Sequence, residues 1–214
     1  MSDYPWKILR NDRTIITGRT GTGKSFLARN LLNQFPDSWM VIIDPANGFP
    51  MEKASQGWKI YETPDALIRS YEPQTIYRPK PEWLNEQSWS AVFDWIYERG
   101  NTLTYIDEVL HVSDPVTLRL NRSLYYILMT GRKRGDGVIA CTQRPYRIPM
   151  TFLSESDHRF CFSLNLRDDR KRMAEIMGDE AIRDPNVEGK GKYFFWYQGR
   201  DVSPPILCKI VKGG

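Results

Sequence analysis

The sequence predicts an α/β fold, a mainly parallel central sheet with helices on both faces. Three observations carry this. Short strand-like runs alternate with stretches of helical periodicity along most of the chain. One run, Trp39-Met40-Val41-Ile42-Ile43, is apolar without interruption, as strands buried on both faces are. A glycine-rich loop, Gly18 to Ser25, joins the first such strand to the first helix.

Taken in order, residues 1–12 form a lead-in containing Pro5 and Trp6. Arg13 to Thr17 is a β-branched strand, and Phe26, Leu27, Leu31, Leu32 and Phe35 recur at helical spacing until Pro36-Asp37-Ser38 stops the helix. The apolar strand ending at Asp44 follows, then a loop from Pro45 to Pro50. Lys59-Ile60-Tyr61 and Thr75-Ile76-Tyr77 read as short strands around a weak helix at 64–70. Trp89, Val92, Phe93 and Ile96 define an amphipathic helix over 86–99, ended by Gly100.

Thr102 to Asp107 is the next strand. Asp114-Pro115 reads as an N-cap with proline at the first helical position, opening a helix over 116–131 that buries Val116, Leu120, Leu124, Ile127 and Leu128. Val138–Thr142 and Phe160–Leu164 are two further core strands. Asp168 or Asp169 caps a helix through Met177, and 178–191 is polar and loop-like. Tyr193–Tyr197 and Ile206–Ile210 close the chain as a hairpin around Gly199-Arg200-Asp201. The expectation is one domain over 1–214, with a core at about 13–177 and the loop and hairpin at 178–214.

The loop Gly18-Arg19-Thr20-Gly21-Thr22-Gly23-Lys24-Ser25 has the pattern G-x-x-x-x-G-K-[ST]. Glycines let successive backbone N–H groups turn inward as an anion nest at a helix N-terminus. Lys24 supplies a cation for β- and γ-phosphates, and Ser25 a hydroxyl for Mg²⁺. The chemistry implied is binding of a nucleoside triphosphate, with ATP and Mg²⁺ expected.

Composition sets broad bounds. The 214 residues carry 30 Lys+Arg and 26 Asp+Glu, a formal net charge of +4, which is compatible with a nucleic-acid partner without requiring one. Between Arg119 and Arg147 lie Arg119, Arg122, Arg132, Lys133, Arg134, Arg144 and Arg147, against a single acid, Asp136. The three cysteines, Cys141, Cys161 and Cys208, share no metal-ligand spacing and read as reduced core residues. No apolar run approaches the length of a membrane span, and the N-terminus does not read as a signal peptide; a cytoplasmic protein is expected.

Asp107-Glu108 closes a strand some eighty residues after Lys24. An Asp there reaches the Mg²⁺ shell, and the following Glu is placed to orient or deprotonate an attacking water. Gln143 ends the next strand, where it either senses the γ-phosphate or merely enters the Arg144-Pro145 turn. Asp44 either caps its own turn or tunes the site from behind. His111 and His158 have no partner at ligand spacing and read as structural or solvent-facing. The aromatic run 193–197 reads as core rather than as a base-stacking platform.

Gly131-Arg132-Lys133-Arg134-Gly135 followed by Thr142-Gln143-Arg144-Pro145 resembles the G-R-x-x-G…[TS]-Q-R-P signature of the FtsK–HerA superfamily of DNA-pumping ATPases. Ile43-Asp44-Pro45 with Gly48 is similar to the HerA-type strand ending. The order phosphate loop, Asp-Glu, then T-Q-R-P matches too. The resemblance implies a RecA-like core, a closed ring (a hexamer above all) and ATP-driven movement of double-stranded DNA. It also implies Gln143 as a polar sensor and Arg132 as an arginine acting on a neighbouring subunit, with Arg134 as the alternative. Arg144, Arg147, Lys133 and Arg134 are the candidate DNA contacts.

The sequence departs from the wider superfamily. No HerA-type barrel, FtsK-type winged helix or membrane anchor is expected from these residues, and no Gly-Glu follows Asp44. This resembles the genome-packaging ATPases of membrane-containing icosahedral viruses and phages. That resemblance implies a host-cytoplasmic protein docking on a capsid or vertex membrane protein. Three other functions fit the phosphate loop: a HerA-like translocase working with a nuclease, a P-loop kinase, and a nucleotide-gated scaffold.

Overall fold

The computed structural model describes residues 5–49, 57–114 and 116–210. Nine strands form one sheet in the order β3-β4-β2-β5-β6-β1-β7-β8-β9. They are β1 (Arg13–Thr17), β2 (Trp39–Ile43), β3 (Lys59–Tyr61), β4 (Gln74–Tyr77), β5 (Thr102–Ile106), β6 (Gly137–Thr142), β7 (His158–Phe162), β8 (Phe194–Gln198) and β9 (Ile206–Lys209). Strands β1 to β7 pair in parallel, and β8 and β9 add an antiparallel hairpin to the same sheet. This is the expected RecA-like P-loop core.

Strand alternation builds two apolar layers. Ile15, Val41, Ile43 and Ile106 face one side, under α3 (Glu86–Arg99), α4 (Arg122–Arg134) and α6 (Arg167–Met177). Ile16, Met40, Ile42 and Tyr105 face the other, under α1 (Lys24–Leu32), which contributes Leu27, Ala28, Leu31 and Leu32. Three short helices, α2 (Pro64–Ile68), α5 (Met150–Ser154) and α7 (Pro185–Glu188), complete the set. Trp6 of the lead-in packs on Phe160, Phe195 and Tyr197. Cys141 and Cys161 are buried thiols and Cys208 is half-buried.

Three expectations require correction. The helix placed at 116–131 spans 122–134. Asp114 accepts from the N–H groups of Val116 and Thr117, as a cap does. The turn stops because Leu118 adopts φ 52° and the chain doubles back through a Ser113–Leu120 bridge, leaving Val116 87% exposed. Asn121, accepting from Ser123 and Leu124 N–H, is the true cap. Pro115 and Pro50 lie outside the described residues. Second, neither Asp168 nor Asp169 caps α6; both sit in its first turn, after Leu166. Third, 178–191 contains a 3-10 turn at Asp179–Ile182 and α7, not loop alone.

Candidate active site

All the strands that carry predicted site residues point their carboxyl ends to the same edge. The loop after β1 is hung between its two neighbours: Gly18 N–H donates to Thr142 O of β6 (3.1 Å), and Arg19 N–H to Ser163 O just past β7 (2.9 Å). Gly23 caps α1 at φ 109°, a left-handed conformation that glycine takes without strain. The first helical N–H groups are thereby aimed into a cleft of about 440 Å³. Thr20, Gly21, Gly23, Lys24 and Ser25 line it, together with Asp107, Glu108 and Gln143.

Lys24 is buried, and its ammonium donates to Arg19 O of its own loop (3.0 Å). Burial lowers its pKa from the usual lysine value, opposed by the negative charge of Cys141 (were it ionised), Glu108 and Asp107. Cys141 itself is pushed up to about 12 by burial, so it is a thiol. Asp107 follows β5 and accepts the Tyr105 hydroxyl on Oδ1 (2.7 Å). A Cβ at Gly48 would stand 2.9 Å from Asp107 Oδ2, so glycine allows the loop after β2 to approach this carboxylate.

Glu108 is fixed at both oxygens. Oε2 accepts from Gln143 N–H (3.0 Å) and Oε1 from Leu110 N–H (3.4 Å). Burial raises its pKa above the ordinary carboxylate range. Hydrogen bonds from Thr142 and Gln143, and the charge of Lys24, partly oppose that rise. The side chain of Gln143 turns back to the phosphate loop and accepts the Thr20 hydroxyl (2.9 Å). One residue thus touches both the carboxylate and the loop.

Asp44 does both things that its position allowed. It accepts from Gly48 and Phe49 N–H, capping its turn, and it pairs with Arg78 (2.7 Å) while adjoining Asp107. Burial raises its pKa in spite of Arg78, and the neighbouring Asp107 adds to the rise. Arg78, in the loop after β4, had no motif to mark it; only the apolar context of a completely buried Asp44 could have asked for a cation. His158 is structural: buried, it bridges Asp12 (3.0 Å) and the Tyr197 hydroxyl (2.9 Å). His111 is exposed and lines the cleft.

The remaining basic residues divide between this edge and the opposite one. Arg132 lies in the last turn of α4, at the amino-terminal edge of the sheet. It pairs there with Asp12 (2.8 Å) and Asp157 (3.4 Å), and its side chain is 38% exposed. The Gly131–Arg134 segment is helical. Arg134 stacks on Tyr97, donates to its carbonyl and pairs with Asp136 (3.5 Å). Lys133 and Arg122 share one exposed face of α4, three turns apart, whereas Arg119 is off the helix. Arg144 and Arg147 follow β6 at the carboxyl edge. Arg144 is tied to the buried Asp169 (2.9 Å), which also accepts from Tyr146 N–H, and Arg147 is exposed. The candidate DNA contacts thus fall on two opposite edges of the sheet.

No family model and no curated protein match the chain. Solved structures do match, at low identity and over almost its full length. The genome packaging NTPase B204 from Sulfolobus turreted icosahedral virus 2, in complex with AMPPCP, is 18% identical with a TM-score of 0.73, covering 95% of this chain and 100% of that one. VirB4 of Thermoanaerobacter pseudethanolicus is 13% identical with a TM-score of 0.67, covering 94% and 90%. The N-terminal domain of zonular occludens toxin from Neisseria meningitidis is 14% identical with a TM-score of 0.53, covering 94% and 93%. These proteins share with the chain the fold that its motifs implied.

Proposed function

We propose that this chain, folded as a viral genome-packaging NTPase is, hydrolyses ATP in a closed ring and drives double-stranded DNA through it, into a preformed capsid. The observation that carries the proposal is the convergence of Lys24, Ser25, Asp107, Glu108 and Gln143, from three separate segments, on one cleft. The phosphate loop and Lys24 hold the triphosphate. Glu108, ionised and held at a raised pKa, takes the proton of the attacking water. Gln143 reports through Thr20 whether the γ-phosphate is in place.

Mg²⁺ fits the donor set, because a hydroxyl and a carboxylate, both hard oxygen ligands, line the same cleft at Ser25 and Asp107. When bound it would neutralise charge on the β- and γ-oxygens. Among the described residues no helix is long and apolar enough to cross a membrane. A hexamer, and a capsid or vertex membrane protein as its anchor, belong to the same proposal.

The direct test images the protein with an ATP analogue and duplex DNA and measures ATPase with and without DNA. Rings and DNA-stimulated multiple turnover are expected. Acceptor phosphorylation in place of hydrolysis would make it a kinase instead.

Lys24→Ala removes the cation that the loop dedicates to the phosphates while leaving the nest, so most ATP affinity should disappear in a binding titration. Affinity equal to wild type would sink the phosphate-loop assignment.

DNA binding should be electrostatic and indifferent to sequence. Arg147→Ala removes an exposed charge, and Arg144→Ala also removes the ion pair with Asp169, to which the loop stays bonded through Tyr146 N–H. The double variant should weaken binding to all sequences alike and flatten the salt dependence by about one unit of slope for each phosphate that is no longer neutralised. An unchanged slope would move this loop out of the channel.

A further inference from the structure

The aromatic run 193–197 divides in two. Phe195, Trp196 and Tyr197 are core, as expected, but Tyr193 precedes β8 and lines the cleft with Ile210, which follows β9. Ile210 N–H donates to the Tyr193 carbonyl (3.1 Å), so the two open ends of the hairpin are tied together at the cleft. Both side chains press on the phosphate loop: a Cβ at Gly23 would stand 2.8 Å from Ile210 Cδ1 and 3.5 Å from Tyr193 Cδ1. Tyr193 also adopts φ 67°. That conformation is costly for a bulky residue and persists where the surroundings over-determine it, commonly at ligand clamps.

The cleft has two ends. Asp107, Glu108 and Gln143 come from β5 and β6, on one side of β1, whereas β8 and β9 lie on the other side, beyond β7. The carboxylate end must take the γ-phosphate, because the general base and the metal ligands stand there. A triphosphate seated on the loop therefore directs its base towards Tyr193, Ile210, Phe26 and Arg29. We propose that Tyr193 is the nucleobase-stacking residue and that the β8–β9 hairpin is the wall against which the base docks, a reading that rests on nucleotide binding at the phosphate loop. Among the described residues of that wall, the polar side-chain groups are the Tyr193 hydroxyl and the Arg29 guanidinium. They do not form a paired donor–acceptor edge of the kind that tells adenine from guanine. Selection is by stacked ring area, purines over pyrimidines, with ATP and GTP held alike.

The test titrates ATP, GTP, CTP and inorganic tripolyphosphate, each with Mg²⁺, against wild type, Tyr193→Gly and Tyr193→Phe. Glycine accepts the positive φ, so the ring is lost without added backbone strain. Wild type should bind ATP and GTP alike and CTP more weakly. Tyr193→Gly should lose about 5- to 150-fold in ATP affinity, as loss of one base–aromatic stack does, with its purine preference collapsed and tripolyphosphate binding unchanged. Tyr193→Phe should match wild type. A parallel fall in tripolyphosphate binding would make Tyr193 a mere support of the loop, and unchanged ATP affinity in Tyr193→Gly would place the base elsewhere; either overturns the stacking role alone. Wild-type protein that binds neither ATP nor tripolyphosphate would overturn the phosphate-loop reading and this one with it.

Discussion

Glu108→Gln is expected to bind ATP and leave it unhydrolysed. The substitution keeps the side chain's shape and one accepting oxygen, with the loss of one of the two bonds from Gln143 and Leu110 N–H, and it removes the group positioned to accept the water's proton. Loss of a general base costs about 10²- to 10⁴-fold in rate. Single-turnover hydrolysis within a factor of about three of wild type would show that Glu108 is not the base. The pH profile gives an independent reading. A base works ionised, and burial raises the Glu108 pKa. Wild-type activity should therefore fall with acidification already above the ordinary carboxylate range. Residual activity of the variant should lack that limb.

Arg132→Ala is expected to bind ATP and form rings, yet hardly turn over. This follows if Arg132 leaves its own subunit to meet a neighbour's γ-phosphate, an interaction worth roughly 10³- to 10⁵-fold in rate. The variant should fold. Asp12 keeps Arg200 (2.6 Å) and His158 (3.0 Å), and Asp157 keeps Arg13 (3.0 Å). The competing expectation is that Arg132 does no more than close this ion cluster. Mixing Arg132→Ala with Glu108→Gln separates the two. A site built on the phosphate loop and Glu108 of the first, facing the intact Arg132 of the second, is complete, so mixed rings should recover part of the hydrolysis. No recovery at any ratio, with mixed assembly confirmed, would confine Arg132 to its own subunit; the same mixture with Arg134→Ala then tests the alternative.

The phosphate loop, Asp107-Glu108 and Gln143 were legible because each sits at the carboxyl end of a strand whose apolar pattern is plain, and a parallel sheet gathers such ends at one edge. What local pattern could not show was anything decided by distant pairing. Asp169 looked like a helix cap because acids favour first turns, yet its partners are Arg144 and Tyr146 N–H, more than twenty residues away. Asp114 looked like a cap and is one, for a turn that goes nowhere because Leu118 reverses the chain. Tyr193 was lost within a strand-like aromatic run, since alternation cannot tell a strand's first residue from the one just before it. Arg132 was legible as a motif, but its position at the far edge, among Asp12 and Asp157, depends on three segments meeting.

The central place of β1 has a consequence for the making of the protein. Residue 13 pairs with residue 138 and residue 14 with residue 158, so β1 leaves the ribosome more than a hundred residues ahead of both its neighbours and has both its edges empty until they follow. At about 5–20 residues per second, that interval is on the order of ten seconds. Ile15 and Ile16, fully enclosed at the end, spend it uncovered. Pairings so remote in sequence carry a large closure entropy and form slowly. The phosphate loop, anchored to Thr142 O and Ser163 O, is thus among the last parts of the molecule to take shape. The loop lacks its Ser163 anchor until β7 arrives, and during that wait the nascent chain depends on whatever holds unpaired strands apart.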